Sequence, residues 1–250
     1  EPDVYLVLDE DFNTLASLGA LKNLDMLVGG DKEFDSNVFY SSVYKAGQYE
    51  GSQYALPMEC NPTLMFVNKT LLQKEGIKVP DNDWTWDDFY DICKTIVKDS
   101  DGDGQMDQFG CYDYTWIQAV YSNGITPFNQ SGTSSNFLDE KFSQSLEFVK
   151  RLEATNRNYQ VTSNDFDLGK VAFRPFTFSD YRTYMPYPWR IKKYSGFEWT
   201  CIRMPAGPSG DNRSEMSALM AGMSSRTEKK QCAWDFVKLL TTDTDIQKLV

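Results

Sequence analysis

Histidine is absent from the 250 residues, and with it go the commonest general base and the commonest transition-metal ligand. A zinc centre built on imidazole and a histidine-dependent triad are thereby excluded. Cysteine is scarce: Cys60, Cys93, Cys111, Cys201 and Cys232 are odd in number, widely spaced and form no C-x-x-C pair. Such spacing supports neither a disulfide framework nor a thiolate metal site. Cys93 and Cys232, set in apolar helical stripes, are expected as buried small hydrophobes. No apolar run approaches the ~20 residues of a membrane-spanning helix, and no charged-then-apolar signal segment occurs. Basic residues are outnumbered, 25 Lys and Arg against 36 Asp and Glu, for a net charge of -11. That balance argues for no nucleic-acid partner, because backbone binding depends on cations that neutralise phosphates.

What is present is a chain 41% apolar and 14% aromatic, sufficient for one large core or two smaller ones. Val4-Tyr5-Leu6-Val7-Leu8 reads as a buried strand, and after the acidic corner Asp9-Glu10-Asp11 the spacing of Phe12, Leu15, Ala16 and Leu18 predicts a short helix closed by Gly19. Tyr49 to Gln53 reads as a turn, residues 54–57 as a strand and residues 63–69 as another buried strand. Thr85 and Asp88 form a capping-box variant ahead of a helix whose buried face is Phe89, Ile92, Cys93, Ile96 and Val97. Leu138, Phe142, Leu146, Val149 and Leu152 predict a further helix. Pro205 to Gly210 is a strong break, and Ala233, Phe236, Val237 and Leu240 mark a last amphipathic helix. Strands alternating with helices at this spacing indicate an α/β fold with a largely parallel sheet.

Residues 99–107, Asp-Ser-Asp-Gly-Asp-Gly-Gln-Met-Asp, reproduce the first nine positions of an EF-hand loop, with carboxylates at one, three, five and nine and glycine at six. Gly110 stands where the bidentate glutamate belongs, which excludes the calcium switch of a sensor hand. A structural Ca2+ is expected on Asp99, Asp101, Asp103 and Asp107, the Gln105 carbonyl and the side chain of Gln108, since crowded carboxylates repel without a cation. An Asp/Gly turn without an ion is the alternative.

Four ordered segments resemble the family-one extracellular solute-binding proteins, the maltose- and oligosaccharide-binding group of ABC importers. They are Pro2-Asp3-Val4 with Leu18 to Leu24; Gly51 to Pro57 continued by Leu64 to Leu72, where Asn68-Lys69 matches a Tyr-Asn-Lys signature although Val67 replaces the tyrosine; Gly76-Ile77, Pro80 and Trp84 to Phe89; and Phe166 to Phe173, Met204 to Pro208 and Ala233 to Thr242. The resemblance implies a two-lobed periplasmic-binding-protein-like type II fold with hinge crossovers, incomplete in this chain. By that pattern residues 1–62 belong to the first lobe, 63–204 to the second, 205–242 return to the first and 243–250 begin a final second-lobe segment. It also implies a sugar or oligosaccharide ligand, an ABC transporter permease as partner, a monomer, no enzymatic activity, and an extracellular or periplasmic location anchored through a lipoprotein segment preceding this sequence.

Candidate ligand residues follow from chemistry and from the resemblance together. Asp9 and Glu10 stand at the carboxyl end of a strand, where α/β folds place ligands, although acidic residues there also serve a helix start. Glu59 and Asn61 lie at the inferred hinge, and an amide both donates to and accepts from a hydroxyl. Tyr114, Trp116, Phe178 and Tyr181 supply apolar faces that stack on a pyranose ring, with Arg182 available to a hydroxyl or an acidic sugar; core packing is the alternative for each ring. Two rival functions stand beside the importer subunit: a glycoside hydrolase using paired carboxylates, and a calcium-dependent interaction module.

Overall fold

The computed structural model describes residues 2–129, 132–180 and 196–248. They divide into two compact units. Unit 1 gathers the described residues of Glu1–Asn61, Gln130–Thr133 and Met216–Val250, and unit 2 those of Pro62–Asn129 and Ser134–Glu215. No helix among the described residues is long and apolar enough to cross a membrane.

In unit 1, strand β1 (Val4–Leu8) pairs antiparallel with β8 (Met216–Met223), Val4 opposite Met223 and Leu8 opposite Leu219, and β8 lies beside β4 (Ala55–Asn68). β1 is less buried than its composition predicts: Val7 is buried, but Leu6 and Leu8 are about half exposed. Helix α1 (Asp9–Ser17) buries Phe12 and Ala16 and ends at Gly19 in the left-handed conformation, as its sequence predicts, but Leu18, expected on the same stripe, follows the last helical turn and is exposed. Helices α2 (Asp25–Gly30) and α3 (Ser41–Ala46) lead to the hairpin β2 (Gln48–Tyr49) and β3 (Ser52–Gln53), whose turn residues Glu50 and Gly51 both have positive φ, the requirement of a tight hairpin turn. Helix α9 (Lys230–Thr242) buries Ala233, Trp234 and Val237 against Leu24, Leu56, Ala221 and Met223. Phe236 and Cys232, both expected inside, are exposed, because the buried stripe centres on Trp234. The short helix α10 (Thr244–Gln247) stays with this unit, tied by Gln247 Nε2 to the Leu240 carbonyl at 2.7 Å.

Asp31 accepts hydrogen bonds from Lys238 Nζ at 2.7 Å and Trp234 Nε1 at 2.9 Å. The ammonium first, then the indole, hold its carboxyl down from 3.8 to about 2. The depressed value means that the contribution is present at neutral pH and is lost as pH falls from about 3.8 towards 2. The denaturation midpoint, followed by circular dichroism, should differ most between wild type and Asp31→Asn above this window and converge within it; a difference unchanged by acid would contradict the assignment.

In unit 2, β4 runs through Thr63–Asn68 between two antiparallel partners, β6 (Val171–Thr177; Thr63 opposite Thr177) and β7 (Trp199–Ile202; Met65 opposite Ile202), while β5 (Phe109–Cys111) pairs parallel with β6. The expected largely parallel sheet is therefore corrected: among these pairings only β5 with β6 is parallel. Hydrophobic runs reveal that a strand is buried but not the direction of its neighbour. β4 is also one strand of 14 residues where two were expected, and both Pro57 and Pro62 lie within it.

Asn68 caps α4 (Lys69–Lys74) by accepting from Leu71 N–H, and its Nδ2 donates to the carbonyls of Gly169 and Val171. One buried amide thus ties the helix start to β6. Helix α5 (Trp86–Ile96) begins at the Thr85/Asp88 capping box and buries Trp86, Phe89, Cys93 and Ile96. It lies so close to β5 that a side chain at Gly110 would collide with Cys93. Helices α6 (Trp116–Ser122), α7 (Glu140–Ala154) and α8 (Ser163–Asp167) complete the unit. The break at residues 205–210, expected to return the chain to the first lobe, belongs to unit 2: Ala206 exchanges backbone bonds with Trp84 and Trp86, and Gly207 N–H donates to Ser122 O at 2.9 Å. The return falls at Met216.

Candidate functional site

The end of the unit 2 sheet carries a constellation of aromatic and hydrogen-bonding groups. Thr115 precedes α6, and its N–H and hydroxyl both donate to Gln118 Oε1, at 2.9 and 2.6 Å. Gln118, itself nearly buried, donates through Nε2 to Glu215 Oε2 at 3.3 Å. The Glu215 carbonyl accepts from Thr63 N–H, and Thr63 stands opposite Thr177, the last residue of β6. This chain of bonds joins the start of α6 to the end of β6, with Trp116 on one and Phe178 just past the other. Both rings are 42% exposed, so apolar faces are available on a scaffold fixed by polar contacts. Trp116 is steadied by Phe142, with ring centroids 5.8 Å apart.

Tyr114 does not join them. It is buried in the unit 2 core, packed edge-to-face on Phe89 and Phe148, and accepts from Trp86 Nε1 at 3.2 Å. Burial pushes its phenol well above the usual range. Core packing wins at this position, and the expectation of a stacking face there is corrected. Tyr181 and Arg182 lie outside the described residues.

The unit 1 candidates are placed as follows. Asp9 and Glu10, with Asp11, occupy the first turn of α1, and the residue preceding the helix is Leu8, so none of the three is the cap. They meet the partial positive charge of the free N–H groups there. Glu59 and Asn61 sit half-buried inside β4, not in a loop following it, and Asn61 ends the first segment of unit 1. Residues missed from sequence are Gln118 and Glu215. The first was legible as the fourth residue of a Thr115-x-x-Gln118 capping box; the second has no local signal, since its side-chain partner lies 97 residues away.

The acidic loop is folded on its own carboxylates. Asp99 accepts from the N–H groups of Gly104 and Gly102, both at 2.7 Å, and the Gly104 bond leads in lowering its pKa. Gly102 and Gly104 take positive φ, which the tight turns require. Asp107 accepts from Ser100 N–H. Asp99, Asp101 and Asp107 each bring a carboxylate oxygen within 4.8 Å of the others. Two oxygens on one Ca2+ at about 2.3–2.6 Å can be no more than about 5.2 Å apart, so these three fit the ion. Asp103 is outside this cluster and accepts from Gln105 N–H at 2.7 Å. Gln108 is also corrected: Lys74 Nζ donates to its Oε1 at 2.7 Å and its Nε2 donates to Glu75, which engages the side chain with α4 and its end.

The mixed α/β chain in two units has the two-lobed periplasmic-binding-protein-like fold. The chain belongs to the bacterial extracellular solute-binding protein family, whose model matches residues 1–246. Among solved structures it is similar to the sugar-binding protein MalE of Xanthomonas citri (TM-score 0.77, 17% identity, 97% of this chain and 62% of that one). It is also similar to an ABC substrate-binding protein of Listeria monocytogenes in complex with cycloalternan (0.71, 21%, 98% and 62%) and to an ABC transporter solute-binding protein of Agrobacterium vitis with bound D-mannitol (0.65, 19%, 100% and 61%). The chain thus spans less than two thirds of the length of each of these proteins.

Proposed function

We propose that the protein captures a carbohydrate, specifically an oligosaccharide, outside the cytoplasm and delivers it unaltered to an ABC transporter permease, held near that membrane by a lipid anchor. The observation that carries this reading is the exposed Trp116 ring fixed at the start of α6 beside the Gln118–Glu215 pair. A pyranose offers an apolar face to an indole while its hydroxyls donate to a carboxylate. Family membership, and relatives that bind cycloalternan and D-mannitol, point the same way. In a thermal-shift panel of mono- and oligosaccharides with the full-length protein, at least one member at 100 times its Kd should raise stability by about 2.7 kcal/mol. No shift with any member would overturn the reading.

The acidic loop is read as a structural calcium site formed by Asp99, Asp101 and Asp107 with the Gln105 carbonyl. It connects α5 to β5, so the ion would hold those elements together without touching sugar. Asp101→Ala should abolish any rise of melting temperature with millimolar calcium and leave sugar affinity within about twofold. A melting temperature in the wild type that is indifferent to calcium and to EDTA would contradict this, and loss of sugar binding in EDTA would favour a calcium-dependent interaction module.

A further inference from the structure

A groove of about 580 Å3 opens in unit 2 between residues 111–115, the end of β5 and the turn after it, and residues 150–161, which comprise the end of α7 and the turns behind it. Its walls include Tyr112, Asp113, Asn156, Asn158, Tyr159 and Gln160. We propose that this groove is an auxiliary carbohydrate subsite that takes a further ring of the oligosaccharide stacked at Trp116; it rests on the carbohydrate reading above.

Four observations carry the assignment. First, the volume lies within the range of small-ligand sites, and Thr115, which lines the groove, is the residue that precedes Trp116. The two places are consecutive along one short segment of one unit. Second, the wall carries accessible amides: Asn158 and Gln160 line the groove and are exposed, and each can donate to and accept from a sugar hydroxyl.

Third, the aromatic walls are fixed before any ligand arrives. Tyr159 stacks on Phe109 with centroids 4.5 Å apart and planes 16° from parallel, its hydroxyl donates to Asp165, and 43% of the residue remains exposed. Tyr112 carries the Arg174 guanidinium 4.8 Å from its ring centroid. Rings held in this way lose little freedom on binding, which favours affinity. Fourth, the charges offset one another. Arg174 faces Asp113 at 3.9 Å, and the lining contains both Lys150 and Glu153. What is left is neutral amide and hydroxyl, suited to a neutral sugar and not to an anion. Backbone strain is concentrated here too: Asp113, Arg157 and Asn158 are three of the four described non-glycine residues with positive φ.

The test is a length series. Calorimetric titration of the full-length protein with maltose-series and mannose-series sugars of one to seven units is compared with the double variant Asn158→Gly/Gln160→Ala. Glycine keeps the left-handed backbone at position 158, and Gln160 is exposed. Should the double variant fail to fold, Asn158→Gly alone serves. The expected result is a loss of about tenfold for the longer sugars, from two ordinary hydrogen bonds, with mono- or disaccharide affinity unchanged. Equal affinity of variant and wild type at every length, or a uniform loss at every length, would overturn the subsite while leaving the carbohydrate reading intact. A wild type that binds none of the series removes the carbohydrate reading, and the subsite with it.

Discussion

Phe66→Ala should destabilise unit 2 by about 3–5 kcal/mol, the cost of emptying a fully buried aromatic site. Phe66 is on the central strand of its sheet and 0% exposed. It stacks on Trp199 at 4.4 Å and meets Phe166 and Phe176 edge-to-face at 5.3 and 5.1 Å. Three rigid rings cannot collapse into the vacated space as flexible aliphatic chains could, which places the loss towards the upper end of that range. Denaturant unfolding followed by circular dichroism measures the loss. A loss below about 1 kcal/mol would show that the neighbouring rings repack.

The parts of this fold that sequence made legible are those set by local chemistry. The Thr85/Asp88 capping box starts α5 where expected, and four of the residues on that helix's buried face follow the 3.6-residue period. For α7 the same rule places Phe142, Val149 and Leu152 on the buried face but errs at Leu138 and Leu146, which are exposed, and misses Ser145 and Phe148, which are buried. The reason is tertiary, since the Phe148 ring stacks on Trp86 at 4.2 Å and that contact sets the helix rotation. Strand direction and the length of β4 were likewise invisible, because both depend on partners far away in the chain.

The candidate site divides along the same line. Tyr114 and Trp116 are two residues apart and equally aromatic in sequence, yet one is core and the other surface. The turn at Asp113, with positive φ, and the Thr115 cap decide which ring turns inward, and only the fold reveals it. Asp101 and Asp107 illustrate the converse: their spacing in the loop already predicts that their carboxylates converge with that of Asp99, as they do.

The second large effect concerns Trp116. Its ring is exposed, contacts Phe142 alone among the described ring pairs, and lies at the edge of the core, so its removal should spare the fold. Trp116→Ala should weaken the best carbohydrate ligand by about 0.5–1.5 kcal/mol, roughly two- to thirteenfold in Kd, and Glu215→Gln should add to the loss by withdrawing a charged acceptor. Trp116→Phe should restore part of the affinity, because a smaller ring still offers a stacking face.

Titration calorimetry of wild-type and Trp116→Ala full-length protein with the sugar that gives the largest thermal shift, followed by chromatography of the recovered sugar, tests the central claim most directly. The expected result is saturable binding in the wild type, the stated loss in the variant with unfolding unchanged, and sugar returned intact. Equal affinity in the two proteins, or a shortened sugar in the recovered fraction, would contradict it.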